Sequence, residues 1–221
     1  MKYGKIYTHV TRNTGQFSRT IWPFRKTELD YMLQLLSNEK PEKILDYGCN
    51  DGHFTGAIAQ HLPTKEVMGC DINQQALKVA RKKNKTLDFE HIGVQFYEKN
   101  KHSFNSIVMS HVLEHIHNRN EVVKEIYQLL DDNGCFIVAV PQERIRGDGN
   151  VIQILSNALT LTFENPHVVK FDYRSLDNLL TNNGFVIEQH IYTNYLKPKL
   201  SDHRKFHAWS LVVLARKVPI E

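Results

Sequence analysis

Two short stretches hold residue types whose spacing could do chemistry. In KILDYGCNDGHFT, from Lys43 to Thr55, an apolar run ends at Asp46 and is followed by Gly48, Asn50 and Gly52. Glycine reaches positive φ without strain and leaves no Cβ in a ligand's path, and asparagine is the next most tolerant residue in that region. A turn of this kind ahead of a helical pattern brings bare backbone N–H groups towards a carboxylate or phosphate. The second stretch is SHVLEHIH, with His111, Glu114 and His115 within one turn of each other. Histidine and carboxylate at that spacing suit either proton transfer or a divalent metal, with His167 in NPHVVKF as a distant further ligand.

These residues need elements to hold them. TELDYMLQLLSNEKP places Leu29, Met32, Leu33 and Leu36 on one helical face, with Thr27 as N-cap and Pro41 beyond the end. KILDYG reads as the first strand and HFTGAIAQHL as a helix. EVMGCDI reads as a second strand ending at Asp71, NQQALKVARKKN as a helix capped by Asn73, and VQFYE as a third strand. SIVMSHVL is the expected fourth strand, NEVVKEIYQLL a helix stopped by Asn133-Gly134, and CFIVAVP the fifth strand. YRSLDNLLTNNG is a helix ending at Gly184. FVIEQHIY and WSLVVLARK then close the chain as strands with no helix between them.

Alternating strands and helices imply right-handed crossovers and a doubly wound, Rossmann-like α/β sheet. That sheet is mostly parallel, with an antiparallel strand near the C-terminal edge. Ligands of such sheets bind beyond the strand C-termini at the topological switch point. Asp71, nineteen residues after Gly52 and at the end of the second strand, can there accept both hydroxyls of a ribose. Gly52, standing for the last glycine, arrives one residue too early for the Gly-x-Gly-x-x-Gly spacing of nicotinamide dehydrogenases.

With LDYGCNDG, GCDIN, FNSIVMSHVLEHI, LLDDNGCFIVAVP and LLTNNGFVIEQ in this order, the chain resembles the class I S-adenosylmethionine-dependent methyltransferases over roughly residues 41–217. The resemblance implies S-adenosylmethionine as cofactor. It makes Asp46, Gly48 and Gly52 the methionine-side pocket, with Cys49, Asn50 and Ser110 as further cofactor contacts, puts Asp71 on the ribose and Ile72 against the adenine, and leaves Glu98 as the adenine-side acid. A hydroxyl acceptor gains from a general base near neutrality, for which His111 and then His167 are the expected candidates. LEH after the fourth strand is similar to the small-molecule branch of the family, in which no metal is bound, and the expected reaction is O-methylation of a small molecule or a lipid or sugar precursor. The Glu-x-x-Glu-His motif of small-RNA 2′-O-methyltransferases is matched only loosely, because His111 stands where the first glutamate belongs. An RNA methyltransferase, metal-assisted or not, is therefore the alternative, and a non-catalytic cofactor-binding module a third reading.

Residues 1–40 are expected to form an N-terminal cap and first helix, in which Tyr7, Arg12, Arg19 and Trp22 could fold over the cofactor. Residues 41–221 form the cofactor-binding domain, with an acceptor cover at about 142–171 whose apolar stripe is Ile152, Leu155 and Leu159. Lys197, Lys199, Arg204 and Lys205 make a basic rim suited to an anionic acceptor. The 221-residue chain, 41% apolar and 24% charged with net charge +4, has the composition of a globular protein and is too weakly basic to argue for nucleic acid by charge alone. Its three widely spaced cysteines fit no disulfide framework or zinc knuckle, and no stretch approaches the ~18 apolar residues of a membrane span. A reducing cytoplasm is the expected setting, with the oligomeric state open.

Overall fold

The computed structural model describes residues 23–63, 65–142, 169–194 and 199–219. Pro23 opens helix α1 (Pro23–Glu39) at the position where a missing N–H costs nothing. The helix therefore starts four residues ahead of the expected cap, and Thr27 lies inside it. Met32, Leu33, Leu35 and Leu36 are its buried side chains, joined by one acid, Glu28. Lys40 turns the chain at φ 51°, and Pro41 follows.

The remaining elements follow in the order β1 (Lys43–Tyr47), α2 (His53–His61), β2 (Glu66–Asp71), α3 (Gln74–Lys83), β3 (Asp88–His91), α4 (Val94–Lys99) and β4 (Phe104–Ser110). A 3-10 turn (Leu113–His115) then leads to α5 (Arg119–Leu129), β5 (Leu130–Pro141), α6 (Tyr173–Thr181), β6 (Phe185–Asn194) and β7 (Ala208–Lys217). The seven strands are ordered β3-β2-β1-β4-β5-β7-β6. β1 to β5 pair in parallel, and β7 runs antiparallel to both β5 and β6. This is the expected doubly wound sheet with its antiparallel C-terminal strand. Its switch point lies between β1 and β4, where the chain has finished one wing and starts the other.

Both faces are covered, so the central strands are apolar throughout rather than alternating with polar residues. Along β5, Phe136, Val138 and Val140 face a core shared with α5 and α6, while Cys135, Ile137 and Ala139 face one shared with α1 and α2. Asn73 caps α3 by accepting from Gln75 N and Ala76 N, as its position in the sequence predicts.

Three further element boundaries differ from the sequence reading. VQFYE is helix α4, and the third strand is the preceding Asp88–His91. That strand sits at the sheet edge and buries only Phe89, so it carries no apolar run to announce it. Helix α5 passes directly into β5 at Leu130, and Asn133-Gly134 occupies a bulge in which the pairing with β4 slips between Phe104 and Ser106. Asn133 takes φ 64° there. Finally, β4 ends at Ser110 and not at Leu113, because His111 adopts φ 54° and turns the chain out of the sheet. Residues 1–22 of the expected cap, and most of the expected acceptor cover with Ile152, Leu155, Leu159 and His167, lie outside the described residues.

Candidate active site

The turn after β1 is built on positive φ at three positions: Gly48 at 79°, Asn50 at 49° and Gly52 at 73°. Gly48 N and Cys49 N both donate to Cys70 O, at 2.8 and 2.9 Å, which pulls the turn across the end of β2. A Cβ on Gly48 would lie 2.6 Å from Val112, so glycine here lets the segment after β4 close against the turn. Asp46 is buried, and Thr55 Oγ1 donates to its Oδ2 at 2.6 Å. Thr55, in the first turn of α2, was not singled out from sequence; its signal is a hydroxyl at a position that the helix buries completely. Cys49 packs with Leu77, Ala80 and Phe89, and burial pushes its thiol far above the ordinary range, so only its backbone faces the turn.

Asp71 joins the two strand ends. Its Oδ2 accepts from Asn50 N at 2.8 Å and its Oδ1 from Asn73 N at 2.7 Å. A carboxylate has about four lone-pair sites, so each oxygen keeps capacity for a hydroxyl. Ile72 beside it is 75% exposed, an apolar face at the rim of the site. The structure does not bring Glu98 into this cluster. It lies in the last turn of α4, exposed and paired with Lys101 at 3.2 Å. With the third strand at Asp88–His91, it is His91 that ends beside Ile72, its Nε2 lying 3.1 Å from Ile72 O.

The structure does bring His111, Glu114 and His115 together, next to half-buried Ser110 at the end of β4. His111 N donates to Ala139 O at 3.0 Å, which anchors the strained residue. Its Nδ1 stands 3.7 Å from Glu114 Oε1, and so does Nε2 of His115. On the other side, His111 Nε2 lies 3.0 Å from both oxygens of Glu28 on α1. Glu28 was missed in the sequence, where only an acid on the apolar face of its helix marks it. Burial favours the neutral imidazole, but the charge of Glu28 and the hydrogen bonds to Glu114 and Glu28 outweigh it, raising the His111 pKa to about 10. Burial also opposes the charge on Glu28, yet His111 and the Ser210 hydroxyl hold its pKa below the usual carboxylate range.

His111 is therefore a cation at neutral pH, whereas the expected general base needs a free imidazole nitrogen. The carboxylate pair overrides the ordinary histidine pKa. Glu114 is 1% exposed, and its Oε2 has no hydrogen-bond partner among the described residues. Nor do the described residues contain a group of three or more His, Cys, Asp or Glu placed to hold a metal ion.

Val169 N donates to Glu114 O at 3.3 Å, and Phe171 O accepts from Gln142 Nε2 at 3.1 Å. This short segment joins the His–Glu turn to an open cavity of about 730 Å³ lined by Lys170, Phe171, Asp172, Ser175, Arg204, Lys205 and Phe206. Asp172 is engaged in the capping box of α6, where the Ser175 N–H and hydroxyl hold its pKa below the usual range. The cavity is thus mainly basic and aromatic. It lies at the same carboxyl edge of the sheet as Asp46 and Asp71, because α6 begins and β7 enters there.

A sequence model described as a methyltransferase domain matches residues 21–190. The chain is 30% identical over 146 residues to carboxy-S-adenosyl-L-methionine synthase of Campylobacter lari, covering 61% of each. It is 24% identical over 110 residues to demethylmenaquinone methyltransferase of Thermotoga maritima, covering 48% of this chain and 47% of that one. The chain thus spans between about half and three-fifths of the length of these curated relatives. Among solved structures, a SAM-dependent methyltransferase from Thermotoga maritima superposes with TM-score 0.66 at 16% identity, over 95% of this chain and 98% of that one. Magnesium protoporphyrin IX methyltransferase from Synechocystis, solved with S-adenosylhomocysteine bound, superposes with TM-score 0.61 at 16% identity, over 88% and 85%. The turn fits the cofactor of such proteins: the lone pairs left on Asp71 suit a ribose, and the exposed face of Ile72 suits an adenine. Matched over most of its length and folded around this turn, the chain belongs to the class I S-adenosylmethionine-dependent methyltransferase family.

Proposed function

We propose that this chain transfers the methyl group of S-adenosylmethionine to an oxygen of a small-molecule acceptor that carries an anionic group. The observation that carries the reading is the basic cavity of Lys170, Arg204 and Lys205, linked through Val169 to the buried Glu114. Asp71 holds the ribose hydroxyls, and the backbone of Gly48 to Gly52 holds the methionine end. When bound, the cofactor supplies a methyl group activated by a sulfonium. The protein's share is alignment, worth on the order of 7–11 kcal/mol at best. The three cations fix the acceptor's anionic group, and exposed Phe206 offers its apolar part a ring to rest against.

Glu114 Oε2, open for a hydrogen bond, receives the acceptor's hydroxyl and takes its proton as the oxygen is methylated. His111, as a cation 3.7 Å from Glu114 Oε1, orients that carboxyl rather than acting as base. His167 remains a proposed second contact to the acceptor.

The Campylobacter lari relative is named a carboxy-S-adenosyl-L-methionine synthase, which favours a second reading: a reaction that alters the cofactor itself. One experiment separates the two. The protein is incubated with trideuteromethyl-labelled S-adenosylmethionine and a panel of hydroxylated carboxylic acids and phosphorylated sugars, followed by mass spectrometry. Label in an acceptor supports methyl transfer; a carboxylated cofactor with no labelled acceptor supports the second reading; neither would refute both.

A further inference from the structure

Glu28 stands on the apolar face of α1 among Met32, Leu35 and Leu36, and it is only 6% exposed. A buried carboxylate costs several kcal/mol unless it is paired and hydrogen-bonded. Here it has both kinds of partner: His111 Nε2 at 3.0 Å from each oxygen, and the Ser210 hydroxyl of β7, which is itself 2.7 Å from Thr193 Oγ1. Ala139 O fixes the backbone of His111, and the Trp209 ring lies against its imidazole with centroids 5.5 Å apart. The far side of that imidazole faces Glu114.

We propose that Glu28 is a positioning residue of the transfer site, which acts through His111 to hold a protonated imidazole against Glu114, the group that receives the acceptor. This rests on the reading of Glu114 as an acceptor contact. The geometry suits the protonated ring. Each ring nitrogen faces a carboxylate, and a neutral imidazole, with one N–H, would aim a lone pair at one of them. The charged groups that surround the ring are Glu28 and Arg25 from α1 and Glu114 and His115 from the turn after β4; β7 contributes Trp209 and Ser210, and β5 the Ala139 carbonyl. A residue that merely packed α1 onto the sheet would leave the protonation of the His111 ring and the rate–pH profile untouched.

The test uses Glu28→Gln and Glu28→Asp with trideuteromethyl-labelled S-adenosylmethionine and a deproteinised cell extract as acceptor source, beside ¹⁵N NMR of the His111 ring. Glu28→Gln should bind the cofactor within about twofold of the parent, yet transfer label about ten- to a hundredfold more slowly, the size usual for groups that orient a reacting residue. Its rate–pH profile should gain an inflection near neutrality where the parent has none, and Glu28→Asp should recover much of the rate. An unchanged profile, or a His111 ring in the parent with only one protonated nitrogen at pH 8, would overturn the proposal. The NMR result decides it even if Glu28→Gln does not fold or the extract holds no acceptor. Failure of the parent to bind S-adenosylmethionine would instead strike the functional reading on which the proposal rests.

Discussion

His111 Nε2 lies 3.0 Å from both carboxylate oxygens of Glu28, a residue 83 positions earlier in the chain, so the first helix and the end of β4 meet in one partly buried ion pair. The pair sets a dependence of stability on pH. The folded His111 has its pKa raised to about 10, against an ordinary value of 6.5. A group with a raised folded pKa contributes fully below the unfolded pKa, and its contribution is lost as pH rises through the folded one. Thermal melts should therefore show stability falling between about pH 6.5 and pH 10, and His111→Gln should flatten that part of the curve. A parent and variant with parallel curves over this window would show that the pair is not ionised as described.

Gly48 makes a second, sterically defined prediction. Alanine there meets Val112 Cγ2 at 2.6 Å and must also hold φ 79°. Positive φ costs a non-glycine residue roughly 1–2 kcal/mol, and the clash adds to it. Gly48→Ala should lower the melting temperature and weaken cofactor binding. Adding Val112→Ala should relieve the clash but not the backbone strain, so recovery should be partial. Full recovery would mean that the left-handed backbone costs nothing there.

Thr55→Val tests the support beneath the turn. It keeps the shape but removes the hydroxyl that donates to buried Asp46 Oδ2 at 2.6 Å. A lost partner of a buried charged group costs about 1–3 kcal/mol. Denaturant titration should show that loss, together with weaker binding of S-adenosylhomocysteine by calorimetry. Unchanged stability would mean that the hydroxyl is not an essential partner of Asp46.

The basic cavity predicts a separation of acceptor from cofactor effects. Arg204→Ala and Lys205→Ala, singly and together, should raise KM for an anionic acceptor and make it less sensitive to salt, because exposed charges act through a screened field. The affinity for S-adenosylmethionine should hold. Equal KM values for parent and double variant would remove this surface from the acceptor path.

Much of the site was legible in the chain because it is local. Asp46 and Asp71 close apolar runs, Asn50 and the glycines announce positive φ, and Asn73 announces its own cap. What could not be read depends on distant neighbours. Nothing beside His111 in sequence reveals that a helix from residue 23 delivers Glu28 to its ring, and that pairing turns an expected base into a cation. The edge strand Asp88–His91 escaped notice because pairing on one side buries only Phe89, while VQFYE carries enough β-favouring residues to imitate it. That one exchange also leaves Glu98 on a helix, exposed and paired with Lys101, rather than after a strand.

The most direct measurement is calorimetric titration of the purified protein with S-adenosylmethionine and S-adenosylhomocysteine, beside Asp71→Ala. The parent should bind both. At a hundredfold excess over Kd it should gain about 2.7 kcal/mol of stability, which corresponds to a melting-temperature rise of roughly 5–10 °C for a chain of this size. Asp71→Ala should lose nearly all of that rise while remaining folded. A folded parent that gives no heat with either nucleoside would contradict the placement of the cofactor at the ends of β1 and β2.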